Sequence, residues 1–196
     1  MDDSHRAPPH LNDDRTPVSR RELALNVLRS HRVVTLRQLD RLYGVPARVL
    51  TGLPRVTLTV SPLHMRESLT VDATFVSLSE RALRQSPGAL AHLAGTAEMQ
   101  SALGVPLAHW RAQPSGRGSN RPDAEYDDPE ARGVHAAEYD SGTYTRSKIS
   151  EKLAAFKHRY LSTVWGVGSS VRRDHIADLI PRIIVVEWWI SERRNG

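Results

Sequence analysis

The sequence predicts an α+β fold built from two parts, and three observations lead to this prediction. Segments with helical spacing come first, and two stretches of alternating apolar and polar residues follow them, as in strands. The C-terminal half then alternates strand-like and helix-like segments, which is typical of an α/β unit. A Pro-Gly pair at residues 87–88 is expected to break the chain between the two parts.

Capping signals mark the first helices. Ser19 precedes Glu22 by three residues, and Thr35 precedes Gln38 by the same spacing, so each pair forms a capping box that starts a helix. A third, short helix is expected to open at Pro46, since proline is favoured in the first turn. Three short helices joined by tight turns are typical of a helix-turn-helix.

Two alternating stretches follow the helices. Residues 56–60 and 69–75 alternate apolar side chains with threonine or aspartate, and the polar link 61–68 between them suits a hairpin tip. Three helices and a hairpin make a winged helix-turn-helix, which we assign to residues 19–85. A helical bundle with an unrelated hairpin stays open as the alternative. Residues 1–18 are polar and without periodicity, so we interpret them as a flexible arm.

The composition excludes several functional classes. The 196 residues contain no cysteine, which rules out disulfides, iron–sulfur clusters, thiolate zinc sites and a cysteine nucleophile. The longest apolar run, residues 183–190, is interrupted by Glu187 and is far shorter than the roughly 18 residues of a membrane span. The N-terminus lacks the apolar stretch of a signal peptide. We therefore expect a soluble cytoplasmic protein with no membrane partner.

The net charge of +5 is unevenly distributed along the chain. Residues 1–60 carry 10 basic and 6 acidic side chains, and residues 146–196 carry 10 and 5, whereas residues 112–145 carry 3 and 7. Basic regions suggest a polyanionic partner such as DNA. The acidic segment between them suggests either a cation site or a solvated loop.

The C-terminal part, residues 88–196, is expected to fold as an α/β domain. Its predicted elements are a helix at 89–103, strands at 122–126, 134–140 and 182–190, and helices at 145–160 and 171–179. The segment between the last two helices is expected to be a glycine-rich link, and residues 114–120 a flexible loop.

Three carboxylates are the candidate metal ligands of this domain. Glu138 and Asp140 point to the same face of one strand because strand side chains alternate, and Asp123 begins the neighbouring strand. Carboxylates that crowd a sheet edge are tolerated when a hard cation such as Mg²⁺ neutralises them. Such a cation could bind a phosphodiester and activate water, so these three residues are also candidate catalytic residues.

Basic side chains on the following helix fit this site. Lys148, Lys152 and Arg159 fall along one flank of the predicted 145–160 helix, beside its apolar stripe. Lys148 or Lys152 could reach the carboxylates or a phosphate, and Arg159 is a candidate DNA contact. Ordinary packing of long basic side chains at a helix border is the alternative.

The order Arg-Pro-Asp-Ala (121–124), an acidic turn, Glu-Tyr-Asp-Ser-Gly-Thr (138–143) and a lysine-bearing helix (148–153) resembles the plasmid replication-relaxation family. The resemblance extends over roughly residues 20–190 and includes the helix around His92. It implies a winged helix followed by a restriction-endonuclease-like domain, acting on plasmid or chromosomal DNA in replication or its control.

The resemblance also assigns roles to residues. In that endonuclease-like fold an aspartate and a glutamate hold the metal, which here match Asp123 and Glu138, and a lysine lies two positions after the glutamate. Asp140 occupies the position of that lysine. Three interpretations stay open: Lys148 or Lys152 replaces the lysine from the helix, Asp140 is an extra ligand, or the domain does not cleave DNA.

The winged helix supplies further candidates for DNA contact. Arg48, Thr51 and Arg55 lie near the expected recognition helix, and His64 and Arg66 lie near the wing tip. Arginine in these places can contact guanine or phosphate.

Aromatic residues suggest two further hypotheses. Tyr144, at the start of a helix, could approach the carboxylates as a nucleophile. Trp188 and Trp189 would point to opposite faces of one strand, so that one of them is exposed and supports a homodimer contact.

Two functional hypotheses follow. The first is a DNA-binding protein of the replication-relaxation type without robust catalysis. The second is a Mg²⁺-dependent enzyme that nicks or cleaves DNA.

Overall fold

The computed structural model describes residues 19–63, 69–113, 121–128 and 132–190, which form an α+β fold with two sheets. The N-terminal part consists of α1 (Arg20–His31), β1 (Val33–Thr35), α2 (Leu36–Tyr43), β2 (Arg55–Val60), β3 (Val71–Ser77) and α3 (Glu80–Leu83). The rest consists of α4 (Pro87–Ala102), β4 (Trp110–Ala112), β5 (Ala124–Asp128), β6 (Gly133–Asp140), α5 (Arg146–Phe156), β7 (Thr163–Val167), α6 (Ser170–Ile176) and β8 (Ile183–Val185). The α+β class predicted from the sequence is confirmed.

The first sheet is antiparallel with the strand order β1-β3-β2. The helix α2, which follows β1, begins with the predicted capping box, because Thr35 and Gln38 exchange side-chain and backbone hydrogen bonds. The predicted third helix is a single 3-10 turn, Ala47–Leu50. It stays this short because Gly52, with a φ of 81°, turns the chain towards β2 soon after it.

The second sheet has the strand order β4-β5-β6-β7-β8 and is antiparallel up to β6 and parallel from there on. The helices α5 and α6 pack on one face, where Ile149 and Ile176 meet Trp165. On the other face α4 packs on β6 and β7. This arrangement leaves the beginning of β5 and the end of β6 adjacent to each other.

Three strands were missing from the sequence prediction. The strands β1 and β4 are only three residues long, too short to show alternation. The strand β7 was interpreted as a glycine-rich link because glycine disfavours strands. Its Gly166 is required, since a Cβ there would overlap the Met99 side chain of α4.

The helix α4 connects the two sheets. It begins at Pro87, so the proline opens the helix instead of breaking the chain as predicted. One continuous apolar core contains Phe75 of the first sheet, Leu90 of α4 and Tyr139 of the second sheet. The predicted division into residues 19–85 and 88–196 is therefore crossed by a shared core, and the arm 1–18 lies outside the described residues.

The C-terminal elements are shorter than predicted. The helix α5 ends at Phe156, and β8 ends at Val185. Trp188 and Trp189 lie in a turn after β8, and both are buried, with their rings perpendicular and 6.0 Å apart. The prediction of an exposed tryptophan is wrong, and the homodimer hypothesis loses the observation that suggested it.

No helix in the described part of the chain combines the length and the apolar character needed to cross a bilayer.

Candidate functional site

Asp123 and Glu138 lie together at the edge of the second sheet. Strands β5 and β6 pair Ala124 with Ala137, so Asp123 and Glu138 are the next residues opposite each other. The backbone N–H of Tyr139 donates to Asp123 Oδ2 at 2.8 Å and fixes that carboxylate against β6. The structure therefore brings together two of the three acidic residues that the sequence selected.

Glu138 is fully buried, with an exposed fraction of 0 %. Its Oε1 accepts hydrogen bonds from Lys152 Nζ at 2.5 Å and from the Tyr144 hydroxyl at 2.8 Å. Its Oε2 is buried as well and has no hydrogen-bond partner within the described ranges. Burial, reinforced by the Asp123 charge, raises the pKa of Glu138 to about 8, although Lys152 and Tyr144 act in the opposite direction.

Lys152 is the helix lysine that reaches the carboxylates. The helix α5 buries this residue to 6 % exposure, and its Nζ lies 5.1 Å from the centre of the Tyr144 ring. Lys148 does not take part, because it lies one turn earlier on α5 and its Nζ pairs with Glu151 at 3.1 Å. The candidate role of Lys148 at the carboxylates is therefore not supported by the geometry.

Tyr144 approaches the site, as the sequence suggested, but as a hydrogen-bond donor. Burial and the neighbouring carboxylates raise the pKa of its phenol, which keeps the hydroxyl protonated. A protonated phenol is a poor nucleophile, so this position suits the orientation of Glu138 better than attack on a phosphodiester.

His92 is a site residue that sequence analysis did not select. It projects from α4, and its Nε2 lies 2.9 Å from Asp123 Oδ2, with side-chain exposures of 24 % and 21 %. Burial opposes the charge on both groups. The pair nevertheless holds the pKa of His92 above and that of Asp123 below the ordinary range. The available signal was one histidine in a largely apolar helix, whose partner is distant in sequence.

Asp140 pairs with Arg172, whereas the sequence analysis predicted it as a metal ligand. Arg172 donates to its Oδ2 from Nε at 3.0 Å and from Nη2 at 2.6 Å, and Gly142 N donates to its Oδ1 at 2.7 Å. Arg172 Nη2 also donates to the Tyr144 carbonyl. Asp140 shares a face with Glu138 but lies against α6, where it fixes the loop that carries Tyr144. Its oxygens are therefore satisfied without a metal ion.

Asp123 and Glu138 are the two residues of this site that would hold a Mg²⁺ ion. The unpartnered Oε2 of Glu138 beside the Asp123 carboxylate supplies hard oxygen donors, whereas Asp140 does not. Mg²⁺ is commonly held by one or two carboxylates, with water and substrate phosphate completing its shell. No set of three or more histidine, cysteine or acidic side chains in the described ranges is arranged to hold a metal ion.

The predicted DNA contacts of the N-terminal part form an exposed surface. Arg48, Thr51 and Arg55 are all exposed. Arg21 of α1 donates to the carbonyls of Val49 at 2.8 Å and Thr51 at 3.2 Å and so holds the 3-10 turn in place. His64 and Arg66 lie outside the described residues.

Arg159 lies beyond the end of α5, not on its flank as predicted. It lines a cleft of about 530 Å³ together with Arg121 and Tyr160. The Tyr160 hydroxyl donates to Glu125 Oε1 at 2.6 Å, on the strand that Asp123 precedes. Arg121 and Arg159 therefore share a cleft beside Glu125 of β5.

Comparison of the chain with protein-family models, curated proteins and solved structures gives no match.

Proposed function

We propose that the protein binds duplex DNA through its N-terminal part and acts in replication or its control, as replication-relaxation proteins do. The observation that carries this proposal is the strand order β1-β3-β2, in which β1 lies between α1 and α2 and the other two strands follow the 3-10 turn. In a winged helix-turn-helix the last strand returns between the other two, and this topology matches that order. A cytoplasmic location goes with the proposal.

The charge of the exposed surface supports the same function. Arg48 on the 3-10 turn and Arg55 at the start of β2 are exposed and lie on consecutive elements. Phosphate contacts by arginine supply sequence-independent affinity. Because the turn is only four residues long, we expect it to offer few contacts to base edges.

A binding experiment tests this proposal. Fluorescence anisotropy with a labelled duplex should give an affinity that falls steeply as salt rises, because binding releases counterions. Arg48→Glu and Arg55→Glu should each weaken binding about tenfold or more. Arg173→Glu, an exposed arginine on α6, changes the net charge equally and should have a much smaller effect. Absent or salt-insensitive binding would refute the proposal.

A second candidate function is Mg²⁺-dependent nicking of DNA. It is favoured by the unpartnered Glu138 Oε2 and by Lys152, which stands close to where a family lysine would act. Bound Mg²⁺ would polarise a phosphodiester and lower the pKa of a water molecule. Asp123 and Glu138 would hold it, and Lys152 would stabilise negative charge on the phosphate.

Supercoiled plasmid separates the two candidates. With Mg²⁺ or Mn²⁺, a nicking enzyme converts it to the open-circular form, and Glu138→Gln should abolish both this conversion and metal binding in titration calorimetry. Glu151→Gln, the same substitution at an exposed position of α5, is the control. Intact plasmid and no metal binding by the wild-type protein would leave DNA binding without cleavage.

A further inference from the structure

A second cleft, of about 610 Å³, lies where the two parts of the chain meet. The end of β2, the beginning of α4 and the loop after β6 form its walls, and the residues that matter for its chemistry are Thr59, Ser61, Gly88, His92, Ser141 and Thr143. The cleft is thus continuous with β2, the strand that carries Arg55.

The cleft leads to the acidic pair. His92 lines it and is bound to Asp123 through the 2.9 Å contact between Nε2 and Oδ2. The loop wall comes from the segment between Asp140 and Tyr144, which Arg172 fixes. A molecule in the cleft would therefore lie against the one side chain that connects this surface to Asp123.

The size and the lining of the cleft define the ligand. Clefts of roughly 300–1,000 Å³ enclose ligands of drug size, so this one has room for a nucleotide or two and not for a duplex. Among the described residues, no aspartate, glutamate, lysine or arginine side chain lines it. Hydroxyl groups and an imidazole can hydrogen-bond the phosphate and the sugar of a nucleotide.

We propose that this cleft takes one single strand of DNA and leads its phosphodiester backbone to the His92–Asp123 pair. The inference rests on the proposed function and deepens it. The N-terminal surface holds the duplex, and the cleft receives a strand that has separated from it.

Gly88 makes the cleft testable without disturbing the fold. It is the second residue of α4 and is exposed, and a Cβ added to it meets no atom within 4 Å. Gly88→Trp therefore fills the cleft with an indole, whereas Gly88→Ala adds one methyl group and serves as the control. Thr143→Trp, at an exposed position of the opposite wall, is an independent blocking variant.

Anisotropy with a labelled oligothymidine and with a duplex of equal length measures the effect. We expect both tryptophan variants to lose at least tenfold in single-strand affinity while duplex affinity and the unfolding midpoint stay unchanged, and Gly88→Ala to match the wild type. Unchanged single-strand binding in both tryptophan variants would overturn the inference, as would an equal loss on duplex.

The failure of this inference can be told from failure of the proposed function. A wild-type protein that binds duplex but not single strands overturns the cleft assignment alone. A wild-type protein that binds neither overturns both. Stronger binding of a single-stranded RNA of matched sequence, lost in the same variants, would overturn the assignment to DNA.

Discussion

Lys152 Nζ lies 2.5 Å from Glu138 Oε1, and the two side chains are 7 % and 0 % exposed. The contact joins α5 to β6 inside the protein, where an unpaired charge is costly. The acidic site is therefore built around a buried contact between a lysine and a carboxyl group, and its stability depends on both partners being present.

Removal of the lysine alone should destabilise the protein strongly. Above about pH 8, where Glu138 is ionised, Lys152→Met leaves its charge buried without a cation, and loss of one partner of a buried pair costs about 3–5 kcal/mol. Lys152→Met combined with Glu138→Gln should recover much of that loss, since no buried charge then remains. Chemical denaturation of the four proteins of this double-mutant cycle measures the coupling. Additive losses would contradict it.

Glu138 should make the protein less stable as the pH rises. Its pKa of about 8 in the folded state exceeds its ordinary value of 4.5, so the folded state holds a proton that the unfolded state has released. The free energy of unfolding should therefore fall between about pH 4.5 and pH 8. Glu138→Gln removes this contribution, so in urea titrations the stability of the variant should rise relative to that of the wild type as the pH increases across that window. A constant difference would show that Glu138 ionises normally.

His31 should produce the opposite dependence at lower pH. Burial lowers its pKa from the ordinary 6.5 to about 3, and its Nε2 lies 3.0 Å from the Tyr43 hydroxyl. The unfolded state takes up the proton first, so stability is lost as the pH falls from 6.5 towards 3, by up to about 1.4 kcal/mol per pH unit for one proton. His31→Gln should flatten this part of the profile, as urea midpoints at several pH values would show. An unaltered profile would assign the acid sensitivity to other groups.

Arg172 should control the loop between β6 and α5. Arg172→Lys keeps the charge but loses the paired donors to Asp140 and the bond to the Tyr144 carbonyl. We expect a loss of about 1–3 kcal/mol and faster hydrogen exchange at the Gly142 and Tyr144 amides. Arg173→Lys, next to it and exposed, is the matched control. Equal behaviour of the two variants would refute this role.

Gly95 should tolerate no side chain. A Cβ at this position of α4 would overlap the Tyr139 ring, and both residues are buried, so Gly95→Ala forces α4 away from β6. We expect the thermal midpoint to drop by several degrees, as for a loss of about 1–3 kcal/mol in a chain of this size. Gly88→Ala, on the same helix but facing open space, should not lower the midpoint. An equal midpoint for both variants would show that the helix adjusts freely.

Local signals in the sequence were sufficient for most elements of the fold. The capping pair Thr35 and Gln38 and the alternation in 56–60 act between near neighbours, so the pattern alone predicts them. The strand β7 was not predicted because its Gly166 disfavours a strand. The reason for a glycine there is the Met99 side chain, which lies far away in the sequence. Long-range packing of this kind overrides local propensity and leaves no local trace.

The candidate site also consists of residues that the sequence predicts and of contacts that it does not. Strand alternation and pairing brought Asp123 and Glu138 together, and helical spacing placed Lys152 near them. The same alternation could not tell that Asp140 would meet Arg172, or that His92 would meet Asp123, because both partners come from elements far along the chain. Partner choice for a buried charge is a tertiary property.

Because α4 is buried on nearly all sides, it should not tolerate insertion or deletion of a residue. Between residues 90 and 100 only His92 and Glu98 are not buried, and ion pairs with Asp123 and Arg41 hold those two in place. Inserting or deleting one residue would turn the rest of the helix by about 100° and break its contacts with both sheets at once. Among diverging copies of the sequence, length changes should therefore accumulate in the connecting segments and be absent from this helix.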